Sequence, residues 1–121
     1  MEKVLGFGGF FFRAKDPEAL ANWYRDHLGI SPVPQSPKEH PWKVMGGDTV
    51  FAPFAADTDY FTADKAFMLN FRVNDLGLIL AQLENAGIAT KRLGDVPGIG
   101  RFAHLHDPEG NPIELWEPRE D

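Results

Sequence analysis

Two stretches of the chain carry apolar residues at the spacing of an amphipathic helix. In both, the apolar side chains recur every three or four residues: Leu20, Trp23, Tyr24 and Leu28 in the first, and Leu76, Ile79, Leu80 and Leu83 in the second. Asp16 and Asp75 precede them, and an aspartate there can accept hydrogen bonds from the free amides of the first helical turn. Gly29 and Gly87 follow as helix terminators. The pattern predicts two helices with their apolar faces against the core.

The two helical stretches belong to an internal repeat. Phe12-Arg13-Ala14-Lys15-Asp16 leads into the first, and Phe71-Arg72-Val73-Asn74-Asp75 leads into the second, so Phe, Arg and Asp recur in the same places. Strand-like segments separated by turn residues follow each helix: residues 42–45 and 49–54 in the first half, and 100–106 and 112–117 in the second. The repeat predicts one domain over residues 1–121, made of two βαβββ modules (about 4–56 and 66–118) and a linker (about 57–65).

Composition and charge narrow the class of protein. The chain has 121 residues, 43% of them hydrophobic and 25% charged, which is typical of a single globular domain. It has no cysteine, which excludes disulfides, thiolate metal sites and cysteine catalysis. The net charge of −6 and the absence of a Lys/Arg cluster argue against nucleic-acid binding. The apolar run at residues 4–12 is too short to span a membrane, so we expect a cytoplasmic protein with no membrane partner.

The C-terminal segment resembles a known protein superfamily. Asp107-Pro108-Glu109-Gly110-Asn111, followed by Ile113-Glu114-Leu115, resembles the C-terminal signature of the vicinal oxygen chelate superfamily, which includes glyoxalase I, bleomycin-resistance proteins and extradiol dioxygenases. The segment from Asp16 through Trp23-Tyr24 to Gly29 resembles its first-module signature. The resemblance implies an α+β fold in which two βαβββ modules form a cupped, eight-stranded mixed sheet around a cavity, with helices on the outer face. It also implies a homodimer.

The family's chemistry uses a divalent metal held by four side chains from the first and last strands of the two modules. Three of those positions lack a ligand here: Gly9, Met68, and the last strand of the first module, where no acidic residue lies between Asp48 and Asp57. Only Glu114 matches. One carboxylate cannot hold a catalytic metal ion, which normally has three protein ligands. We therefore expect no cofactor and no full metal site, although His104 or His106 could rebuild one with Glu114.

Strand alternation predicts which side chains share the cavity. If a five-residue turn joins the last two strands, His104 lies opposite Glu114 and Phe102 lies opposite Trp116. The predicted ligand-binding residues are Phe11, Arg13, Trp42, Phe51, Asn70, Arg72, Phe102 and Trp116. Arg13 and Arg72 could clamp a carboxylate; alternatively, each pairs with an acidic side chain or reaches solvent.

Glu114 and His104 are the candidate catalytic residues. They could form a general acid/base pair, or a rebuilt metal site, or a cross-strand contact with no chemical role. The leading hypothesis is a protein that binds a small organic, carboxylate-bearing molecule in the sheet cavity without the four-ligand metal. One alternative is a metal-dependent lyase, isomerase or dioxygenase that uses Glu114 with non-standard ligands. The other is a binding protein that sequesters an antibiotic, as bleomycin-resistance proteins do.

Overall fold

The computed structural model describes residues 1–119, so the last two residues of the predicted domain lie outside the described part of the chain. The elements follow in the order α1 (Pro17–Leu28), β1 (Leu69–Arg72), α2 (Leu76–Asn85), β2 (Lys91–Arg92), β3 (Gly100–His106) and β4 (Pro112–Pro118). Neither described helix has the length and apolar character needed to cross a bilayer.

Both predicted helices are confirmed, together with their start signals. The Asp16 carboxylate accepts a hydrogen bond from the Ala19 amide at 3.1 Å, and the Asp75 carboxylate accepts one from the Leu78 amide at 3.0 Å. Gly29 follows α1 in the left-handed conformation, with φ of 72°. Side-chain caps of this kind satisfy amides that have no partner within the helix, so the sequence fixes where each helix begins.

The four strands form one mixed sheet in the order β1-β4-β3-β2. Strand β1 runs parallel to β4, and β3 is antiparallel to β4. The predicted hairpin register is confirmed: His106 pairs with Pro112, His104 with Glu114, and Phe102 with Trp116. One face of the sheet, called here the Glu114 face, therefore carries Phe102, His104, Glu114 and Trp116.

The opposite face of the sheet packs on the helices and forms the core. The buried apolar residues come from both helices and from β3 and β4: Leu20, Tyr24, Leu76, Leu80, Leu83, Ala103, Leu105, Ile113 and Leu115. Period-two alternation explains this division, because Ala103, Leu105, Ile113 and Leu115 alternate with the residues of the Glu114 face.

The β3–β4 turn joins the hairpin to α1. The Asp107 carboxylate accepts hydrogen bonds from the amides of Glu109 and Asn111, and the buried Tyr24 hydroxyl donates to it at 2.7 Å. The Glu109 carboxylate accepts hydrogen bonds from the amides of Lys15 and Asp16, at 2.7 and 2.9 Å. The turn signature thus fixes the position of the first helix as well as the register of the hairpin.

The first module has its helix but no strands. Within the described chain, no strand lies before Leu69, so the predicted strands at residues 42–45 and 49–54, and the one before α1, are not present as paired strands. An extended segment becomes a strand only when a neighbour pairs its N–H and C=O groups. The structure therefore has an α+β fold with a four-stranded mixed sheet, and the eight-stranded cup is not confirmed.

Candidate functional site

Glu114 lies at the centre of a row of polar residues that crosses the sheet. Register places Asn70 of β1 on one side of it and His104 of β3 on the other. The Asn70 Nδ2 group donates to Glu114 Oε1 at 2.7 Å, and His104 Nε2 lies 2.8 Å from Glu114 Oε2. The Glu114 side chain is 9% exposed and that of His104 is 19% exposed. Sheet pairing alone therefore brings together these three polar side chains on one face.

Tyr60 completes this group, and sequence reasoning missed it. Its hydroxyl donates to Glu114 Oε2, and its ring lies edge-on to the His104 ring, with 5.1 Å between centroids. Burial raises the pKa of Tyr60, and the hydrogen bond to Glu114 and the charge of that carboxylate raise it further. The phenol is therefore neutral and acts as a donor. We call Glu114, Asn70, His104 and Tyr60 the Glu114 cluster.

One cavity borders the Glu114 cluster, and a second cavity shares lining residues with the first. The smaller one has a volume of about 260 Å³ and includes Tyr60, Met68 and His104 among its lining residues. The larger one has a volume of about 590 Å³ and includes Arg13, Lys15 and Lys65. Thr62 and His106 line both, so the two cavities adjoin. Between them, the walls of the two cavities carry apolar, cationic and acceptor groups, a combination found in small-molecule sites.

The predicted ligand-binding residues are dispersed over several environments. Phe102 and Trp116 stack with parallel rings, 6.1 Å between centroids, on the Glu114 face. Trp42 instead contacts Phe71 edge-on, and Phe51 contacts Phe7. Phe11 is 91% exposed. Asn70, Phe102 and Trp116 therefore share a sheet face with Glu114, whereas the aromatic residues of the first module do not reach it.

The two predicted arginines also lie in different settings. Arg13 lines the larger cavity. The Arg72 guanidinium donates to the backbone carbonyls of Met45 and Asp48, at 2.7 and 2.5 Å, and so holds the segment between them. Neither of the two cavities is lined by both arginines. Arg13 is thus the arginine available to an anionic group on a ligand.

The residues around Glu114 do not fit a divalent metal ion. Both of its oxygens already accept hydrogen bonds, and Met68, at another family ligand position, offers only a soft thioether. Among residues 1–119, no group of three or more His, Asp or Glu side chains has a metal-binding arrangement. A cation at Glu114 would have to displace donors that the cluster already holds.

Comparison with known proteins agrees with the fold. The chain matches the model of a family described as a glyoxalase-like domain over residues 9–116. The antibiotic-binding protein TnmS3 from Streptomyces sp. CB03234 is 27% identical, with a TM-score of 0.57 and coverage of 87% of this chain and 88% of that one. A glyoxalase/bleomycin resistance protein from the same strain is 25% identical, with a TM-score of 0.57 and coverage of 86% and 93%.

A more distant structure, a glyoxalase/dioxygenase from Nostoc punctiforme, is 18% identical with a TM-score of 0.55, covers 99% of both chains, and shows the fold alone. No curated protein sequence matches the chain. The family match covers nearly the whole described chain and includes the Glu114 cluster. The protein therefore belongs to the glyoxalase-like domain family, which confirms its resemblance to the vicinal oxygen chelate superfamily.

Proposed function

We propose that the protein binds a small organic molecule beside the Glu114 cluster, without the metal that the superfamily commonly uses. The observation that carries this proposal is a nearly buried carboxylate, Glu114, held by three polar side chains, two of which, Tyr60 and His104, also line a cavity of about 260 Å³. Carboxylates are rarely buried unless they are hydrogen-bonded, and here Tyr60 and His104 separate the Glu114 carboxylate from the cavity that they line. Glu114 and His104 are the residues that would contact the ligand's polar group and exchange a proton with it.

A carboxylate on the ligand is supported by the larger cavity. Three cationic residues, Arg13, Lys15 and Lys65, line it together with two acidic ones, Asp64 and Glu109, so the cations outnumber the carboxylates by one. An anionic group there would meet cations, while the rest of the molecule lies against Tyr60 and His104.

Calorimetric titration of chelator-treated protein tests the proposal. Small aromatic alcohols and aromatic carboxylic acids are titrated in parallel with Zn²⁺ and Mn²⁺. We expect saturable binding of organic molecules that weakens at least about ten-fold in His104→Ala, since a hydrogen bond to a charged group contributes roughly 1.5–3 kcal/mol. Tight, stoichiometric metal binding that Glu114→Gln abolishes would instead support the metal-dependent lyase, isomerase or dioxygenase.

A second candidate is antibiotic sequestration, favoured by one comparison. TnmS3, at 27% identity, is an antibiotic-binding protein. A cavity of about 260 Å³ is small for such a ligand, so this role requires the adjoining larger cavity as well. Expression of the chain in a sensitive bacterium separates the two proposals, since sequestration raises drug tolerance and binding of a small metabolite does not.

We also propose that the protein is a homodimer. Its accessible surface is 9331 Å², whereas a compact monomer of 13.5 kDa exposes about 6,500 Å². Most of the exposed large apolar residues lie in the first module and include Val4, Leu5, Phe7, Phe10, Phe11, Val44, Met45, Val50 and Phe51. Obligate dimers bury roughly 2,000–5,000 Å² in total, so a second copy is large enough to cover this surface.

A further inference from the structure

We infer that the ligand presents a hydrogen-bond donor (a phenol, an alcohol or an N–H group) to Glu114 and takes the place that the Tyr60 hydroxyl occupies in the free protein. The inference rests on the proposed ligand site and adds two things to it. It assigns the chemical class of the group that Glu114 recognises. It also assigns Tyr60 as the residue that competes with the ligand.

The hydrogen-bond pattern around Glu114 sets the class of the ligand group. Tyr60 and Asn70 are donors to this carboxylate, and His104 Nε2 lies within hydrogen-bond distance of it. An ionised carboxylate can only accept hydrogen bonds. A ligand carboxylate placed here would bring a second negative charge to a side chain that is only 9% exposed, which is unfavourable in a site shielded from water. The group that contacts Glu114 must therefore donate.

Of the three side chains around Glu114, Tyr60 is held least firmly by its backbone. Asn70 lies in β1, which pairs with β4, and His104 lies in β3, which pairs with both β4 and β2. Tyr60 lies in the segment between the two modules, outside any helix or strand, and is 40% exposed. Its amide donates only to the nearby Thr58 hydroxyl, at 3.2 Å. Tyr60 can leave Glu114 without breaking the sheet.

The position of Tyr60 also shows which ligand shape fits. Its ring packs edge-on to His104 while its hydroxyl reaches Glu114, and it lines the smaller cavity. A single hydroxylated aromatic ring in the same place would make the same contacts. When Tyr60 moves away, the volume of its side chain is added to the cavity. In the free protein, the Tyr60 phenol thus occupies the position that we assign to a ligand phenol.

Three small probes test the inference: p-cresol carries the donor, toluene lacks it, and p-toluate replaces it with a carboxylate. Dissociation constants are measured by calorimetry or by NMR titration for the full chain, for Tyr60→Phe and for Tyr60→Ala. Both variants remove the competing hydroxyl, so we expect each to bind p-cresol at least about ten-fold more tightly than the unmodified protein. Leu78→Ala changes an exposed side chain of α2 that lines neither cavity and should leave p-cresol binding within about two-fold.

The contribution of Glu114 is separated by a second comparison in the Tyr60→Ala background. There we expect p-cresol to bind at least about ten-fold more tightly than toluene, and this ratio to fall when Glu114→Gln is added, because the charge-assisted hydrogen bond is lost. Weaker p-cresol binding in Tyr60→Phe than in the unmodified protein would overturn the competing role of Tyr60. Equal binding of p-cresol and toluene, or a preference for p-toluate that depends on Glu114, would overturn the donor class while leaving the proposed ligand site standing. Absence of binding by every probe to every variant would overturn both.

Discussion

Tyr24 and Tyr60 each donate a hydrogen bond to a carboxylate, but the two contacts have different roles. Each phenol donates to a carboxylate of the second module, Tyr24 to Asp107 and Tyr60 to Glu114. Tyr24 is 7% exposed within the core, where Asp107 also accepts from the Asn111 side chain and two turn amides. Tyr60 faces a cavity from an irregular segment. The first contact therefore stabilises the fold, whereas the second borders the candidate site.

Replacement of Tyr24 by Phe tests the structural role of the first contact. It leaves the buried Asp107 carboxylate without one donor, so we expect a loss of about 1–3 kcal/mol of unfolding free energy, measured by urea denaturation near neutral pH.

Burial, and then the hydrogen bond and the charge of Asp107, raise the pKa of Tyr24 above its ordinary value of 10.0. Its contribution is complete below pH 10.0 and declines as the pH rises further, because the unfolded chain ionises first. The stability gap between the two proteins should therefore narrow in strong alkali. Equal unfolding free energies at neutral pH would contradict this role.

The β3–β4 hairpin could be predicted from sequence because its determinants are local. The turn at residues 107–111 and the alternation on either side of it fix the register, which in turn brings His104 beside Glu114. Asn70 is placed there by β1, whose position follows from the repeat. Tyr60 could not be predicted, since nothing in a short irregular segment indicates which distant carboxylate its hydroxyl meets. The only sequence feature that could have drawn attention to Tyr60 is that the chain has just two tyrosines.

The start of β3 makes a close contact that tolerates no side chain. At Gly100, φ is +145°, and an added Cβ would lie 2.2 Å from the Glu117 carbonyl oxygen and 2.8 Å from Trp116 Nε1. Gly100→Ala must push β4 away from β3, so we expect a loss of at least about 1–3 kcal/mol in unfolding free energy and a lower melting temperature. Gly94→Ala is the matched control, because an added Cβ there meets nothing within 4 Å. Equal melting temperatures for the two variants would show that the hairpin can adjust.

At the scale of the whole molecule, the two modules differ in what covers their apolar residues. The second module closes its own core beneath the sheet, with Leu76, Ile113 and Leu115 fully buried. The first module also carries apolar, strand-like segments, yet Phe11 is 91% and Phe51 78% exposed. A pattern specifies which side of a strand is apolar but not which chain supplies the pairing edge. The strands of the first module therefore form, under our proposal, only when a second copy is present.

Charge introduced into this apolar surface should separate the copies. We expect the unmodified protein to sediment at twice the mass of the 13.5 kDa chain, and Phe11→Asp to sediment as a monomer at micromolar concentration, because burial of an unpaired carboxylate opposes association. Leu78→Asp is the matched control: Leu78 is also an exposed apolar residue, at 59%, but it lies on α2 outside the first module, so this variant should remain dimeric. Under our proposal, pairing with a second copy adds strands to the first module, so circular dichroism should show more β-structure in the unmodified dimer than in the Phe11→Asp monomer. A monomeric unmodified protein, or dissociation of both variants alike, would contradict the assignment of the first module as the surface that the second copy covers.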